Sequence, residues 1–170
     1  MKPWKSTPAA SDPPQFENRG GPVTIVAYGN TLRSDDGVAR RLAEELEELT
    51  LPEFQVISCD LLIPELAEAV SRADRVIFVD AEANSNEPVR ARKVVPAESS
   101  QLMAHHASAR VILALARDVF GRAPEAWLVT IPGRNFEIGE VLSEIATQGK
   151  QKALELIKAI QLRAGCGAER

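Results

Sequence analysis

Residues 28–37, Tyr-Gly-Asn-Thr-Leu-Arg-Ser-Asp-Asp-Gly, form the stretch around which the rest of the chain is organised. The apolar run Val23–Tyr28 leads into this stretch, and an amphipathic run that begins at Val38 follows it. An apolar run, a polar segment with two adjacent acids and an amphipathic run are typical of a strand, a loop and a helix. We therefore expect residues 28–37 to connect the end of a strand to the start of a helix.

Strand and helix patterns alternate along the remainder of the chain and predict an α/β fold. Runs of strand character occur at 23–28, 54–58, 75–80, 89–95 and 126–131, and helical patterns end near residues 49, 70, 121 and 164. This alternation predicts a three-layer, doubly wound sheet of five mostly parallel strands, with helices on both faces. Basic residues alternate with small or apolar ones at 89–95, which predicts a half-exposed, antiparallel edge strand.

Helical periodicity predicts which side chains face the core. Ser34 is expected to cap the first helix, which is predicted to run over 35–49, and residues 81–88 are expected to form a polar turn. The expected core positions are Val38, Leu42, Leu46, Leu49, Ile63, Leu66, Ala67, Val70, Ile112, Leu115, Ala116, Val119, Leu154, Ile157 and Ile160.

The predicted topology brings distant acids together. A β-α-β-α-β order in a doubly wound sheet favours the spatial order 2-1-3, with a crevice between strands 1 and 3 outside their carboxyl ends. Asp36 lies just past the end of strand 1, and Asp80 ends strand 3. Although 44 residues separate them in sequence, we expect these two acids to be neighbours.

Length and composition indicate one folded domain. The 170 residues are 45% hydrophobic and 26% charged, which is typical of a globular protein. We expect a single domain at 23–164, a disordered, proline-rich leader at 1–22 and a flexible tail at 165–170. A net charge of −4 without a basic stripe argues against binding to nucleic acid or to an anionic membrane. With no signal-peptide pattern, we expect a cytoplasmic monomer.

The polar residues each have an ordinary structural explanation. Asp35 and Asp36 suit a helix N-terminus, Asp80 suits a turn, and His105 and His106 suit a solvated loop. Two nearby carboxylates, however, repel each other unless a cation lies between them. Two Asp and one His offer oxygen and nitrogen ligands for a borderline divalent ion with open positions. A His-Glu-x-x-His motif, a glycine-rich dinucleotide turn and a nucleophilic serine elbow are all absent from the sequence.

Four ordered motifs resemble those of the hydrogenase maturation proteases, the endopeptidases that finish the large subunits of nickel–iron hydrogenases. The resemblance covers about residues 23–145. The matching segments are Gly29-Asn30-x-Leu32-x-x-Asp35-Asp36-Gly37, Leu62-x-Pro64-Glu65-Leu66, Val76-x-Phe78-Val79-Asp80-Ala81 with His105 ahead of Leu113-Ala114-Leu115, and Phe136-Glu137-x-Gly139-x-x-Leu142-Ser143.

The resemblance implies a doubly wound α/β fold and a trio of residues that contact nickel. Carried over by position, these are Asp36, Asp80 and His105, with His106 as the alternative to His105. The family removes a short C-terminal extension from a large-subunit precursor that already holds nickel, so the nickel is supplied by the precursor. If the resemblance holds for activity, it implies an aspartyl or metal-dependent endopeptidase with Asp36 as the candidate catalytic residue, and Asp35 is expected to support the helix start.

The sequence departs from the family pattern at two positions, and two other functions remain open. Ala39 stands where the family usually has glycine, and Ala104 stands where a Thr or Pro often precedes the histidine. A non-catalytic, nickel-dependent binding or chaperone module for the same precursor would use the same ligands. A peptidyl-tRNA hydrolase also has Gly-Asn after strand 1, but it would need a histidine near helix 1 and a basic surface, which this acidic chain lacks.

Overall fold

The computed structural model describes residues 23–52, 54–85, 87–98 and 108–165, without the side chains of 162–165. The leader predicted at 1–22 lies outside the described residues, as do His105 and His106. The domain boundaries therefore remain predictions, although the last helix extends to Gly165, one residue beyond the predicted domain end. Within the described ranges, no helix has both the length and the hydrophobicity needed to cross a bilayer.

Five strands and four helices make up the described fold. The strands are β1 (Val23–Tyr28), β2 (Phe54–Cys59), β3 (Arg75–Ala83), β4 (Arg90–Val94) and β5 (Glu125–Gly133). The helices are α1 (Val38–Glu48), α2 (Leu66–Arg72), α3 (Ala109–Phe120) and α4 (Glu144–Gly165), and the 3-10 turn Ser34–Gly37 precedes α1.

The sheet has the predicted doubly wound topology. Its strand order is β2-β1-β3-β5-β4, in which β4 pairs antiparallel with β5 and all other pairs are parallel. The 2-1-3 order and the antiparallel edge strand are thus confirmed. β3 continues to Ala83 because it pairs with β5 as far as Gly133, so the polar turn predicted at 81–88 begins too early.

Alternating side chains of the strands build two core layers. Ile25 and Ile77 face the layer formed with α1 and α4, whereas Val26 and Phe78 face the layer formed with α2 and α3. All four side chains are fully buried. Both faces of the sheet are therefore covered, which explains why these central strands are nearly continuous apolar runs.

Three of the predicted core positions are wrong. Leu49 is 45% exposed, Ile63 is 46% exposed and Val119 is 66% exposed. Leu49 follows the last residue of α1, Ile63 precedes α2, and Val119 lies in the last turn of α3. Periodicity identifies the buried face of a helix but does not indicate where the helix leaves the core. The other predicted positions are buried, apart from Leu115, which is partly buried.

Candidate active site

The loop after β1 folds back tightly on the turn that precedes α1, and two glycines permit this. Gly29 has a φ of +140°, and a Cβ there would lie 2.0 Å from the carbonyl oxygen of Asp36. A Cβ on Gly37 would lie 2.7 Å from the Cα of Thr31. Any other residue at either position would separate the two halves of the loop. The glycines of the first motif therefore allow the close approach of β1 to Asp36.

Asp36 is held at the carboxyl end of β1. Its Oδ2 accepts a hydrogen bond of 2.9 Å from the backbone N–H of Asn30. The side chain of Asn30 stabilises the same loop, because its Oδ1 accepts a hydrogen bond of 2.9 Å from the N–H of Leu32. Asp36 is half-buried, so its carboxylate has a fixed position and some contact with solvent.

Asp80 is joined to β1 by Tyr28. The phenolic hydroxyl of Tyr28 donates a hydrogen bond of 2.9 Å to Oδ2 of Asp80. Burial raises the pKa of Asp80 to about 6, although the hydrogen bonds from Tyr28 and from the Ala81 N–H partly oppose the shift. Burial and the negative charge of Asp80 raise the pKa of Tyr28, so its hydroxyl keeps its proton. Tyr28 is a site residue that sequence reasoning treated only as the end of a strand.

Asp36 and Asp80 lie at the same edge of the sheet, because β1 and β3 are parallel neighbours with Ala27 opposite Val79. The negative charge of Asp36 contributes to the raised pKa of Asp80, and the charge of Glu82 contributes further. The two carboxylates therefore lie within electrostatic reach at the carboxyl edge of β1 and β3. A cation between them would relieve this repulsion.

The third predicted ligand lies outside the described residues. In the ranges that the structure describes, no three His, Cys, Asp or Glu side chains are grouped so that they could hold a metal ion. His105 and His106 both fall in 99–107, which the structure does not describe. The choice between the two histidines, and the metal contacts of Asp36 and Asp80, therefore stay predictions.

A cavity of about 340 Å³ opens beside Asp80. Tyr28 and Asp80 contribute its polar wall, and Arg92 of β4 brings a positive charge that acts on Tyr28. The edge strand thus supplies part of this cavity, a role that its sequence pattern did not indicate. The cavity also includes Lys93, Val94, Val95, Ser108, Ala109, Arg110 and Leu128.

Asp35 has a different role from the one predicted for it. Its side chain is fully buried, and its carboxylate accepts hydrogen bonds from the N–H groups of Arg134 (2.7 Å), Asn135 (2.9 Å) and Ser143 (2.7 Å). The hydroxyl of Ser143 donates a fourth, at 2.6 Å. Burial by itself would raise the pKa of Asp35, but these hydrogen bonds together hold it below its ordinary value. Asp35 therefore connects the loop after β1 to the loop after β5.

Ser34 also joins these two loops, and the prediction that it caps the first helix is wrong. No side chain caps the 3-10 turn or α1. Instead, the buried Ser34 hydroxyl donates to the carbonyl of Glu137 and accepts from the amide nitrogen of Asn135, both at 3.2 Å. The first and fourth motifs therefore form one hydrogen-bonded unit. Both motifs are rich in polar residues, which was the one sequence feature that could have indicated a contact between them. The sequence alone did not show that the two loops are in contact.

No protein-family model and no curated protein matches the chain. Solved structures do match it. HybD from Thermococcus kodakarensis, a [NiFe] hydrogenase maturation protease, is 25% identical, with a TM-score of 0.63 over 82% of this chain and 99% of that chain. The hydrogenase maturating endopeptidase HybD from E. coli is 18% identical, with a TM-score of 0.67 over 85% of this chain and 94% of that chain.

A third solved structure has the same fold. The [NiFe] hydrogenase maturation protease HycI from Thermococcus kodakarensis KOD1 is 22% identical, with a TM-score of 0.59 over 83% of this chain and 90% of that chain. All three likenesses extend over more than four fifths of this chain. In its fold, and in the four motifs that its sequence carries in order, the chain is similar to the hydrogenase maturation proteases.

Proposed function

We propose that this protein is the endopeptidase that removes the C-terminal extension of a [NiFe] hydrogenase large-subunit precursor. One geometric observation supports this most strongly: β1 and β3 are parallel neighbours with Ala27 opposite Val79, so Asp36, held by the loop after β1, and Asp80 lie at the same carboxyl edge of the sheet. Functional sites of doubly wound folds lie at this edge, where the strand order reverses. The 25%-identical structure named as a [NiFe] hydrogenase maturation protease supports the substrate class.

The proposal extends to the nickel carried by the precursor. Asp36, Asp80 and one of His105 and His106 would contact this ion when the substrate binds. Carboxylate oxygens and an imidazole nitrogen suit such an ion, and its positive charge would offset the repulsion between the two carboxylates. Because the nickel arrives with the substrate, it would license cleavage of a loaded precursor. A monomer in the cytoplasm remains the expected form of the protein.

The described residues also support a division of chemical roles. Hydrolysis of a peptide bond needs a group that takes a proton from the attacking water. Asp36 is our candidate for this group because the Asn30 N–H fixes one of its oxygens and leaves its remaining lone pairs for other partners. Tyr28, which stays protonated, orients Asp80 through its hydrogen bond.

The decisive experiment compares two forms of the precursor. The purified protein is incubated with nickel-loaded and with nickel-free large-subunit precursor, and the products are weighed by mass spectrometry. We expect a shortened product from the loaded precursor alone. Equal cleavage of both forms would contradict the nickel requirement. If neither form is cleaved, the proposed function is wrong.

A further inference from the structure

Exposed apolar side chains concentrate at the edge of the sheet that carries the candidate site. In the described part of the chain, five of the nine large exposed apolar residues lie in loops at the carboxyl ends of β1, β2 and β5. Leu32, Ile138 and Val141 are 59%, 92% and 78% exposed, and we name these three the rim surface. An apolar group of this kind on a soluble domain marks a contact site for another molecule.

Backbone hydrogen bonds hold part of the rim surface in place. The N–H of Gly139 donates to the carbonyl of Leu32 at 2.9 Å, and the N–H of Ser34 donates to the carbonyl of Gly139 at 2.7 Å. The parallel bridge between Arg33 and Gly139 sets Leu32 opposite Ile138. Parallel neighbours place opposite side chains on the same side of the bridge. Leu32 and Ile138 are therefore adjacent positions on a backbone fixed by hydrogen bonds.

The buried carboxylate of Asp35 holds the second loop at both of its ends. It accepts from Arg134 and Asn135 before the exposed segment and from Ser143 after it. Ile138 and Val141 lie between these points of attachment. With the backbone fixed on both sides, the loop keeps its apolar side chains in solvent instead of folding them inward. An arrangement that preserves exposed apolar surface at a candidate active site is typical of preformed recognition.

We propose that the rim surface is the docking surface for the folded precursor protein, and this inference rests on the function proposed above. The cavity beside Asp80 has a volume of about 340 Å³, which admits only a short piece of chain. Stable recognition between proteins buries about 1,600 Å² of surface in total. Most of the contact must therefore lie outside the cavity, and the rim supplies exposed apolar side chains at the same edge of the sheet.

The position of the rim favours the precursor over a second copy of this chain. Leu32 belongs to the same short loop as Asn30, whose N–H binds Asp36. A protein whose peptide bond reaches Asp36 therefore approaches the loop that carries Leu32. A second copy seated on the rim would cover this loop and block access to Asp36. The expected partner surface is an apolar patch of the precursor next to its cleavage site.

The test uses two double variants that are matched in residue type. Leu32→Ser/Val141→Ser removes two rim side chains, and Leu49→Ser/Val119→Ser removes a leucine and a valine exposed outside the rim, by 45% and 66%. Cleavage of nickel-loaded precursor is followed for KM and kcat, and precursor binding is measured by biolayer interferometry. We expect the rim variant to raise KM and Kd about tenfold or more, with kcat nearly unchanged, because it loses buried apolar contact.

The outcomes separate this inference from the proposed function. Cleavage by the wild type with equal KM and Kd for both double variants would overturn the docking surface and leave the protease function intact. Binding without cleavage would overturn the protease function, and the Kd values of the two variants would still decide the docking surface. Failure of the wild type to bind the precursor would overturn both. A dimer of the wild type that the rim variant alone dissociates would assign the rim to a second copy instead.

Discussion

The hydroxyl of Tyr28 donates a hydrogen bond of 2.9 Å to Oδ2 of Asp80, and so it joins the carboxyl ends of β1 and β3. This bond favours the ionised form of Asp80, whereas burial disfavours it. The balance leaves Asp80 with a pKa of about 6, a value at which a carboxyl group can change its charge near neutral pH.

Replacing Tyr28 by Phe should raise the pKa of Asp80 further. The variant keeps the aromatic ring but loses the hydrogen bond that stabilises the carboxylate. NMR titration of the side-chain carboxyl carbons measures this directly. Asp118, which pairs with its neighbour Arg117, serves as an internal control and should titrate as in the wild type. An unchanged or lowered pKa for Asp80 would contradict the assigned role of Tyr28.

Asp80→Asn should stabilise the fold more at pH 7 than at pH 4. The folded-state pKa of Asp80 is raised from 3.8 to about 6, so the wild type loses stability as the pH rises through this interval. The difference in unfolding free energy, variant minus wild type, should therefore be about 2 kcal/mol larger at pH 7 than at pH 4. Urea denaturation at both values provides the measurement. A difference that does not depend on pH would show that burial does not penalise the carboxylate.

Processing of loaded precursor should weaken as the pH falls below about 6, because a protonated Asp80 is a poor metal ligand. Histidine side chains in general change charge near this pH, so the wild-type profile alone does not identify the group. Tyr28→Phe provides the distinction, since it acts on Asp80. In this variant, the fall of kcat/KM in acid should begin at a higher pH. If it begins at the same pH as in the wild type, the protonation that lowers activity belongs to a residue other than Asp80.

Asp35→Asn should destabilise the protein far more than Asp36→Asn. An asparagine at position 35 keeps one carbonyl oxygen but replaces the other acceptor by an NH₂ group that faces the donors of Ser143, Arg134 and Asn135. A loss of about 3 kcal/mol is expected for a buried charged acceptor of this kind. Asp36 accepts a backbone hydrogen bond from Asn30 and is half-buried, so Asp36→Asn is the matched control. Equal losses of unfolding free energy would contradict the assignment.

The stabilising effect of Asp35 should disappear in acid. Its folded-state pKa lies below the ordinary value of 3.8, so the contribution is present above pH 3.8 and is lost as the pH falls through the lower folded-state pKa. The melting temperatures of the wild type and of Asp35→Asn should therefore become similar in strong acid. Thermal melts at decreasing pH provide the measurement.

Gly29→Ala should damage the site more than Gly121→Ala. Both glycines have positive φ, +140° and +77°, but a Cβ at Gly29 would meet the Asp36 carbonyl, whereas a Cβ at Gly121 meets nothing within 4 Å. The Gly121 variant should cost about 1 kcal/mol from backbone strain alone. The Gly29 variant should lose more stability and, because Asp36 moves, most of its processing activity. Two variants with equal activity would show that the close approach is not needed.

Single changes at the predicted nickel contacts should abolish processing. Asp36→Asn, Asp80→Asn and His105→Ala are each expected to lower the rate of precursor cleavage at least about 100-fold. Asp118→Asn, which removes an acid that pairs locally with Arg117, is the control. His106→Ala distinguishes the two histidines, since only the true contact should be sensitive. Full processing in all of the site variants would refute the catalytic assignment, and loss of precursor binding alone would favour a non-catalytic module.

The sequence was sufficient for the fold because the fold follows from short-range patterns. The apolar runs of β1 and β3 and the order of the first three strands are enough to place Asp36 near Asp80. The role of Asp35 could not be predicted in this way. An acid that begins a helix and an acid that accepts four hydrogen bonds from a loop about 100 residues later look the same in sequence. Only the packing of the β5 loop distinguishes them.

The bonds between Asp35 and Ser143 also have a consequence for synthesis of the chain. They join residues 108 positions apart, and Ser143 comes directly before α4. A ribosome that has released β1, β2 and β3 has already made both Asp36 and Asp80, yet the loop carrying Asp36 still lacks its partners. Contacts of such long range form late in folding. A nascent chain would therefore acquire a complete site only after most of the protein has left the ribosome, and partial chains would be unable to cut.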